Sequence, residues 1–199
     1  MEAMFASPDR LILFARRTDD LDLIAFYYEQ RADHLFIRIG LAQNSDTPAW
    51  MLTELSHDPA EQVRSAVASN PNADDDTIRY LADEDAQAVY PAREEGWFEK
   101  DWFTYHAAKN PSLPEDLSSV LAHHRSEVIR SVIAARTDTS VETLLWMILR
   151  DKRAVVRQAA KAQDFRIRSW LRTTHPQLAG LEVKEAARRL FAIANHNAA

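Results

Sequence analysis

The sequence contains no cysteine and only 3 glycines among its 199 residues. Without cysteine the chain has no disulfides, no thiol nucleophiles and no thiolate metal ligands. So few glycines argue against a hairpin-rich β fold. No apolar run approaches 18 residues, and residues 1–10 already include Glu2 and Asp9, so neither a membrane-spanning helix nor a signal peptide is predicted. We therefore expect a cytoplasmic protein with no membrane partner.

Charge is distributed unevenly along a chain whose net charge is −6. Residues 1–99 hold 8 Lys and Arg against 20 Asp and Glu, whereas residues 100–199 hold 16 against 10. The overall composition, 46% hydrophobic and 27% charged, is ordinary for a globular protein. The asymmetry therefore bears on partners and association and not on the fold.

One sequence pattern recurs along the chain, and its clearest copy is VRSAVASNPNADDDTIRYLADED at residues 63–85. The first apolar residue of each copy is its anchor, and successive anchors are spaced by 26, 26, 26, 14, 26 and 27 residues. The anchors are Leu11, Ile37, Val63, Val89, Phe103, Ile129 and Val156. A regular period of this length is typical of a stacked repeat array.

Each copy predicts two short helices separated by a break. The break is an Asn-Pro pair at Asn70-Pro71 and at Asn110-Pro111, and proline disfavours helix at the residue before it. The second helix carries an apolar pair such as Ile78 and Leu81. Because isolated helices shorter than about 12–15 residues are marginal in water, neighbouring copies are expected to hold each helix in place.

The pattern resembles the leucine-rich repeat variant family, whose units read roughly VRxAVAxNPxTPxxxLxxLAxDxxxx. Residues 63–85 match well except at Ala73-Asp74, where the family has Thr-Pro. Residues 37–58 and 103–124 match in part, 129–151 more loosely, and the resemblance covers about residues 35–165. It implies an all-α fold, a right-handed α-solenoid of paired short helices, one often 3₁₀, with HEAT-type repeats as the nearest structural relative. It also implies a binding scaffold with no catalytic residues to transfer.

The repeat boundaries predict a single domain over residues 1–199. Its ends are helical caps, and its regular repeats are interrupted once by a break in the period. The caps are residues 1–34 and 165–199, the repeats are 35–85 and 103–164, and the break is 86–102.

The break in the period brings four large aromatic residues together: Trp97, Phe98, Trp102 and Phe103. One interpretation is that they fill the gap left by a truncated unit. The other is that they anchor a partner, because insertions in repeat arrays often map to the binding face and tryptophan is enriched at interface hot spots. On the second interpretation the predicted apolar contacts are Trp97, Phe98 and Trp102.

Basic residues form two patterns. Arginine follows the anchor in four copies, at Arg38, Arg64, Arg130 and Arg157. These arginines either pair with Asp33, Asp58 and Asp151, which precede three of them, or bind an acidic ligand.

The segment 150–172 holds eight basic residues against two acidic ones. Three interpretations are open for this segment: a solvated face, a site for an acidic protein, or a nucleic-acid contact. The predicted charge contacts are Arg153, Arg157 and Arg168.

Catalytic and metal-binding motifs are absent from the sequence. There is no Gly-rich phosphate loop, HExxH or GxSxG. His57 and His123-His124 lie at predicted helix ends, and Asp74-Asp75-Asp76 precedes a helix, which favours caps and solvated turns over metal sites. We therefore expect no enzymatic activity, no metal and no cofactor.

The sequence as a whole predicts a non-enzymatic protein–protein interaction scaffold, and an inhibitor or immunity-type role would suit it. The alternative is a nucleic-acid-binding helical-repeat protein that uses the basic C-terminal segment, similar in architecture to the HEAT-like alkylpurine DNA glycosylases. The pI of 5.6 weighs against that alternative. A third hypothesis is self-association, in which the acidic N-terminal half of one chain meets the basic C-terminal half of another.

Overall fold

The computed structural model describes residues 13, 15–31, 34–83 and 101–197, and within these ranges the protein is all-helical, without a strand. The all-α part of the predicted fold class is therefore confirmed. The described elements are α1 (Leu21–Arg31), α2 (Leu35–Gln43), α3 (Ala49–Leu55), α4 (Glu61–Ala68), α5 (Asp75–Ala82), α6 (Trp102–Lys109), α7 (Glu115–Leu121), α8 (Glu127–Ala135), α9 (Val141–Arg150), α10 (Ala154–Lys161), α11 (Asp164–Thr174), a 3₁₀ helix (Pro176–Leu178) and α12 (Val183–Asn197).

The chain divides into two compact units, Met1–Pro114 and Glu115–Ala199, called here the first and the second unit. The prediction of one domain over residues 1–199 stays a prediction. None of the described helices combines the length and apolar character needed to cross a bilayer.

In the first unit, α2 packs against α4 and α4 against α6, so the first helices of the copies anchored at Ile37, Val63 and Phe103 lie side by side. The anchors Ile37 and Val63 are fully buried, and Phe103 is 9% exposed. Burying each such side chain contributes roughly 1.5–3 kcal/mol. The spacing of the anchors therefore identified the core side of these helices correctly.

Three asparagines end the first helices of this unit and connect one copy to the next. The Asn70 Nδ2 donates to the carbonyl oxygens of Ala42 and Asn44, both at 2.8 Å. The Asn110 Nδ2 donates in the same way to Ala68 at 2.9 Å and to Asn70 at 2.8 Å. Asn44 repeats the arrangement with Ala15 and Thr18. The break residues therefore satisfy carbonyls that the preceding helix end leaves without intrahelical partners.

The second unit repeats part of this arrangement with other residues. Here α8 packs against α10, and α9 packs against α10, α11 and α12. The Gln163 Nε2 donates to the carbonyl oxygen of Ala135 at 3.0 Å, and the Arg166 Nη2 donates to that of Thr139 at 2.7 Å. Longer side chains therefore make the connection that asparagine makes in the first unit.

Two of the second helices, α5 and α9, begin at capping side chains. The Asp74 carboxylate accepts from the backbone N–H of Thr77 at 2.8 Å, and the Ser140 hydroxyl accepts from that of Thr143 at 3.1 Å. Hydrogen bonds from Thr77 hold the pKa of Asp74 below its ordinary value. Asp74 is thus a helix cap, as its position in the sequence predicts.

Candidate binding surface

The repeated arginines pair with buried aspartates inside each unit. The Arg38 Nε lies 2.5 Å from Asp58 Oδ2, and the Arg130 Nε lies 2.6 Å from Asp151 Oδ2. Asp58 and Asp151 are only 7% and 6% exposed. The structure therefore supports ion pairing for these two arginines, while Asp33 lies outside the described residues.

The same aspartates also contact the arginine of the following copy, through their backbone. The Arg64 Nη1 donates to the Asp58 carbonyl oxygen and the Arg157 Nη1 to the Asp151 carbonyl oxygen, each at 2.7 Å. Each aspartate therefore joins two consecutive arginines of the repeat, one through its carboxylate and one through its carbonyl.

Electrostatics reinforce the pair in the second unit. Burial alone would raise the pKa of Asp151, but hydrogen bonds from Arg130 and from the backbone N–H of Arg153 bring it below its ordinary value. The hydrogen bond with Asp151 raises the pKa of Arg130. Both groups are therefore charged at neutral pH, and the two charges pair with each other within the second unit.

An open cavity of about 490 Å³ lies beside α4 and α6 in the first unit. Its walls combine two aromatic rings, hydroxyls, amides and one charge of each sign. The lining residues are Arg16, Gln43, Glu61, Gln62, Ser65, Ala66, Ser69, Asn70, Pro71, Trp102 and His106.

Trp102 forms part of the cavity wall and is held in a fixed orientation. Its indole Nε1 donates to the Ser65 hydroxyl at 2.7 Å. Its ring packs edge-on against His106, with centroids 4.7 Å apart. Trp102 is half-buried, so one part of the ring packs in the protein while another part is open to solvent. Of the three predicted aromatic anchors this one is described, whereas Trp97 and Phe98 lie outside the described residues.

His106 faces the same cavity in its neutral form. Its Nδ1 lies 2.7 Å from the Ser69 hydroxyl. Its Nε2 is buried, and within the described part of the chain it has no hydrogen-bond partner. Burial lowers the pKa of His106, and the nearby charge of Lys109 lowers it further. A serine beside a neutral imidazole is the chemistry of an activated nucleophile, but no described group orients the second ring nitrogen. Both side chains line the cavity, where they can offer polar contacts.

The rim of the cavity is polar. Gln43 and Gln62 are exposed on α2 and α4, and each amide carries both donors and an acceptor. Arg16 and Glu61 add a positive and a negative charge. A polypeptide backbone, which also presents alternating donors and acceptors, suits such a rim.

The three predicted charge contacts lie in the second unit, and each has a partner there. Arg153 pairs with Glu127, the Arg157 guanidinium donates to the carbonyl of Asp151, and the Arg168 Nε lies 2.7 Å from Asp164. Arg153 is 60% exposed and Arg168 is 41% exposed. Their role in binding a partner stays a prediction.

Sequence reasoning did not identify Ser65, Ser69 and His106 as members of a site. Ser65 and Ser69 lie two and six residues after the anchor Val63, and His106 lies three after Phe103. Helical register places Ser65 and Ser69 away from the buried anchor Val63, but it places His106 on the same face as its anchor. Register could therefore have suggested the two serines, and it gave no signal for His106.

Within the described residues, no group of three or more His, Asp or Glu side chains is placed to hold a metal ion. Comparison with known proteins found no match to a protein family, to a curated protein or to a solved structure. The class that the described structure defines is an all-helical protein with a polar and aromatic cavity beside α4 and α6 of its first unit.

Proposed function

We propose that the protein is a non-enzymatic interaction module that binds another protein at the cavity beside α4 and α6. The observation that carries this proposal is the position of Trp102, half-buried on the cavity wall and oriented by Ser65 and His106. A partly exposed tryptophan gives a large contact area at a small entropic cost, and tryptophan is enriched at interface hot spots.

The proposal includes the fold expected from the resemblance, a right-handed α-solenoid of paired short helices. Its support is the recurrence of the same kind of contact between neighbouring described helices inside each unit. Asn70 and Asn110 bond to the preceding copy in the first unit, and Gln163 does so in the second. The Arg38–Asp58 and Arg130–Asp151 pairs recur likewise. A stack of this kind presents the outer faces of its helices as a continuous surface.

A protein is favoured over a small molecule because the cavity is open and its rim is built from long, exposed side chains. Gln43 and Gln62 can bond the backbone of an extended segment, while an apolar side chain of that segment rests on Trp102. In peptide recognition, main-chain hydrogen bonds commonly provide affinity, and pockets select the side chains of the peptide.

Replacing Trp102 by alanine is expected to weaken the binding of the partner by at least about 2 kcal/mol, the scale of a hot-spot residue. The partner would be trapped with a photo-crosslinking amino acid at Gln62 on the cavity rim. The purified partner would then be titrated by calorimetry against the wild type and the Trp102→Ala variant.

Trp170 offers a matched control, because it is also half-buried and packs on a histidine, His175, at 5.1 Å, but belongs to the second unit. Trp170→Ala should leave the affinity unchanged. Equal affinities for the wild type and Trp102→Ala, with both proteins folded by circular dichroism, would contradict the proposed site.

Nucleic-acid binding is the second candidate, and the observation in its favour is the exposure of five basic residues in the segment 150–172. These are Arg150, Lys152, Arg153, Lys161 and Arg172. Arg153 and Arg168 pair with carboxylates of the second unit, which reduces the charge offered to phosphates, while Arg157 and Arg166 donate to backbone carbonyls.

Salt dependence separates the two candidates. Contacts with phosphates lose affinity steeply with salt, with a slope of roughly −0.9 per neutralised phosphate on a double-logarithmic plot. We expect a labelled DNA duplex to show no such binding by fluorescence anisotropy. Tight binding that falls steeply with salt, and that Lys152→Glu with Lys161→Glu abolishes, would favour the nucleic-acid function instead.

A further inference from the structure

The second unit carries an exposed apolar surface that its own packing does not use. Val128 and Val155 are 51% and 50% exposed. They occupy the same position in consecutive copies, one residue before the buried anchors Ile129 and Val156. Val132 follows Val128 by one helical turn and is half-exposed. Because α8 and α10 pack side by side, these three side chains form one surface, the valine patch.

Positive charge borders the valine patch. Lys152 lies two residues before α10, Lys161 is the last residue of α10, and both are exposed. Arg153, 60% exposed, reaches across to Glu127, the residue before Val128. Over residues 115–199 the sequence holds 14 Lys and Arg against 9 Asp and Glu. A partner that covers this surface must therefore bring apolar side chains surrounded by acidic groups.

The first unit presents that combination. Trp50 on α3 is 56% exposed and packs edge-on against Tyr28 at 5.9 Å. Glu54, one turn after Trp50, is exposed and accepts a hydrogen bond from Tyr28. Asp74 is exposed and lies against the same helix, since Thr53 donates to its carboxylate at 3.4 Å. Tyr28, Trp50, Glu54 and Asp74 form the Trp50 patch.

The charges of the two units support the match. Residues 1–114 hold 10 Lys and Arg against 21 Asp and Glu, the opposite balance to the second unit. Hydrogen bonds from Thr77 keep Asp74 ionised, so the Trp50 patch is negative at neutral pH. Nucleic acid would pair with Lys152 and Lys161 but would leave the valines without an apolar counterpart, so a protein surface fits better.

We propose that the valine patch of one copy of the chain binds the Trp50 patch of a second copy. The contact joins two different surfaces. A complex therefore needs one chain with an intact valine patch and another chain with an intact Trp50 patch. Neither patch contains Trp102 or another residue of the cavity. If self-association fails, the proposed function is therefore unaffected. If the proposed function fails, the proposed self-association is likewise unaffected.

Sedimentation velocity on the full chain tests the proposal. At about 0.01 M salt the average mass should rise with protein concentration. Raising the salt to about 0.15 M should lower the average mass, because the Debye length shortens from about 30 Å to about 8 Å. Val155→Glu and Trp50→Lys each place a like charge in the contact, so each should weaken self-association at least about tenfold. Val120→Glu is the matched control, since Val120 is 66% exposed but lies on α7, outside the patch.

Mixing the variants gives the sharpest result. The Val155→Glu chain keeps its Trp50 patch, and the Trp50→Lys chain keeps its valine patch. Each variant alone should remain monomeric, while an equimolar mixture should form a complex containing one copy of each. A patch that binds its own equivalent would not give this complementation.

Three outcomes would overturn the proposal, provided that circular dichroism shows the variants folded. The first is a wild-type chain that stays monomeric at the highest concentration in low salt. The second is self-association that Val155→Glu leaves unchanged or that Val120→Glu abolishes equally. The third is a monomer that associates only when a DNA duplex is added, which would assign the basic border to nucleic acid.

Discussion

Replacing Asn70 by alanine is expected to lower the free energy of unfolding of the first unit by about 2–4 kcal/mol. Asn70 is 2% exposed, and its amide donates to the carbonyls of Ala42 and Asn44. Its Oδ1 also accepts from the backbone N–H of Asn72 at 2.8 Å. Alanine leaves these backbone groups without their partner, and an unsatisfied buried group costs about 1–3 kcal/mol.

Urea unfolding followed by circular dichroism measures the effect. Asn72 is the matched control, because it is exposed and makes one side-chain hydrogen bond, to the Thr47 carbonyl at 2.8 Å. Asn72→Ala should cost about 1 kcal/mol or less. Asn70→Asp, which keeps the acceptor but loses both donors, should be as damaging as Asn70→Ala. If Asn70→Ala cost no more than the Asn72 control, the bridging role of the amide would be wrong.

Asp151→Ala is expected to cost about 3–5 kcal/mol in the second unit, the range for breaking a buried ion pair by removing one partner. Arg130, whose side chain is 12% exposed, would keep its charge and lose its carboxylate. The backbone N–H of Arg153, which donates to Asp151 at 2.8 Å, would lose its acceptor as well. An exposed pair offers the comparison: Asp164→Ala removes the partner of Arg168 and should cost at most about 1 kcal/mol.

The effect of Asp151→Ala must depend on pH. The folded pKa of Asp151 lies below its ordinary value, so its contribution to stability is fully present above the unfolded pKa of about 3.9. That contribution is lost as the pH falls through the folded pKa. The difference in unfolding free energy between the wild type and Asp151→Ala should therefore be largest at neutral pH and shrink below about pH 4. A difference that is the same at pH 7 and at acid pH would contradict the ionised pair.

The helices and their buried sides could be predicted because they depend on local spacing. Ile37, Val63, Ile129 and Val156 are all 1% exposed or less, and the recurring spacing of 26 or 27 residues located each of them. The helix α4 ends just before Asn70-Pro71, because proline restricts the residue before it whatever lies elsewhere in the chain.

The polar contacts could not be predicted in the same way. The sequence suggested that Asp58 and Asp151 pair with the arginines that follow them, but their carboxylates bind Arg38 and Arg130 of the preceding copies. The cavity depends on residues still farther apart, since Trp102 meets Ser65 and His106 meets Ser69 across 37 positions. Such separations combine the repeat with the irregular spacing after Val89, so periodicity alone does not identify the partners.

By itself, the sequence determined the all-helical character of the described residues, the side of each described first helix that is buried, and the breaks at Asn70 and Asn110. These follow from apolar periodicity and from backbone restrictions, which act within a few residues. The tertiary structure decided which carbonyls the asparagines reach, which arginine each aspartate binds, and that Trp102 and His106 line one cavity. A hydrogen bond needs its two atoms within about 3 Å, and only the packing of one helix against the next brings distant side chains that close.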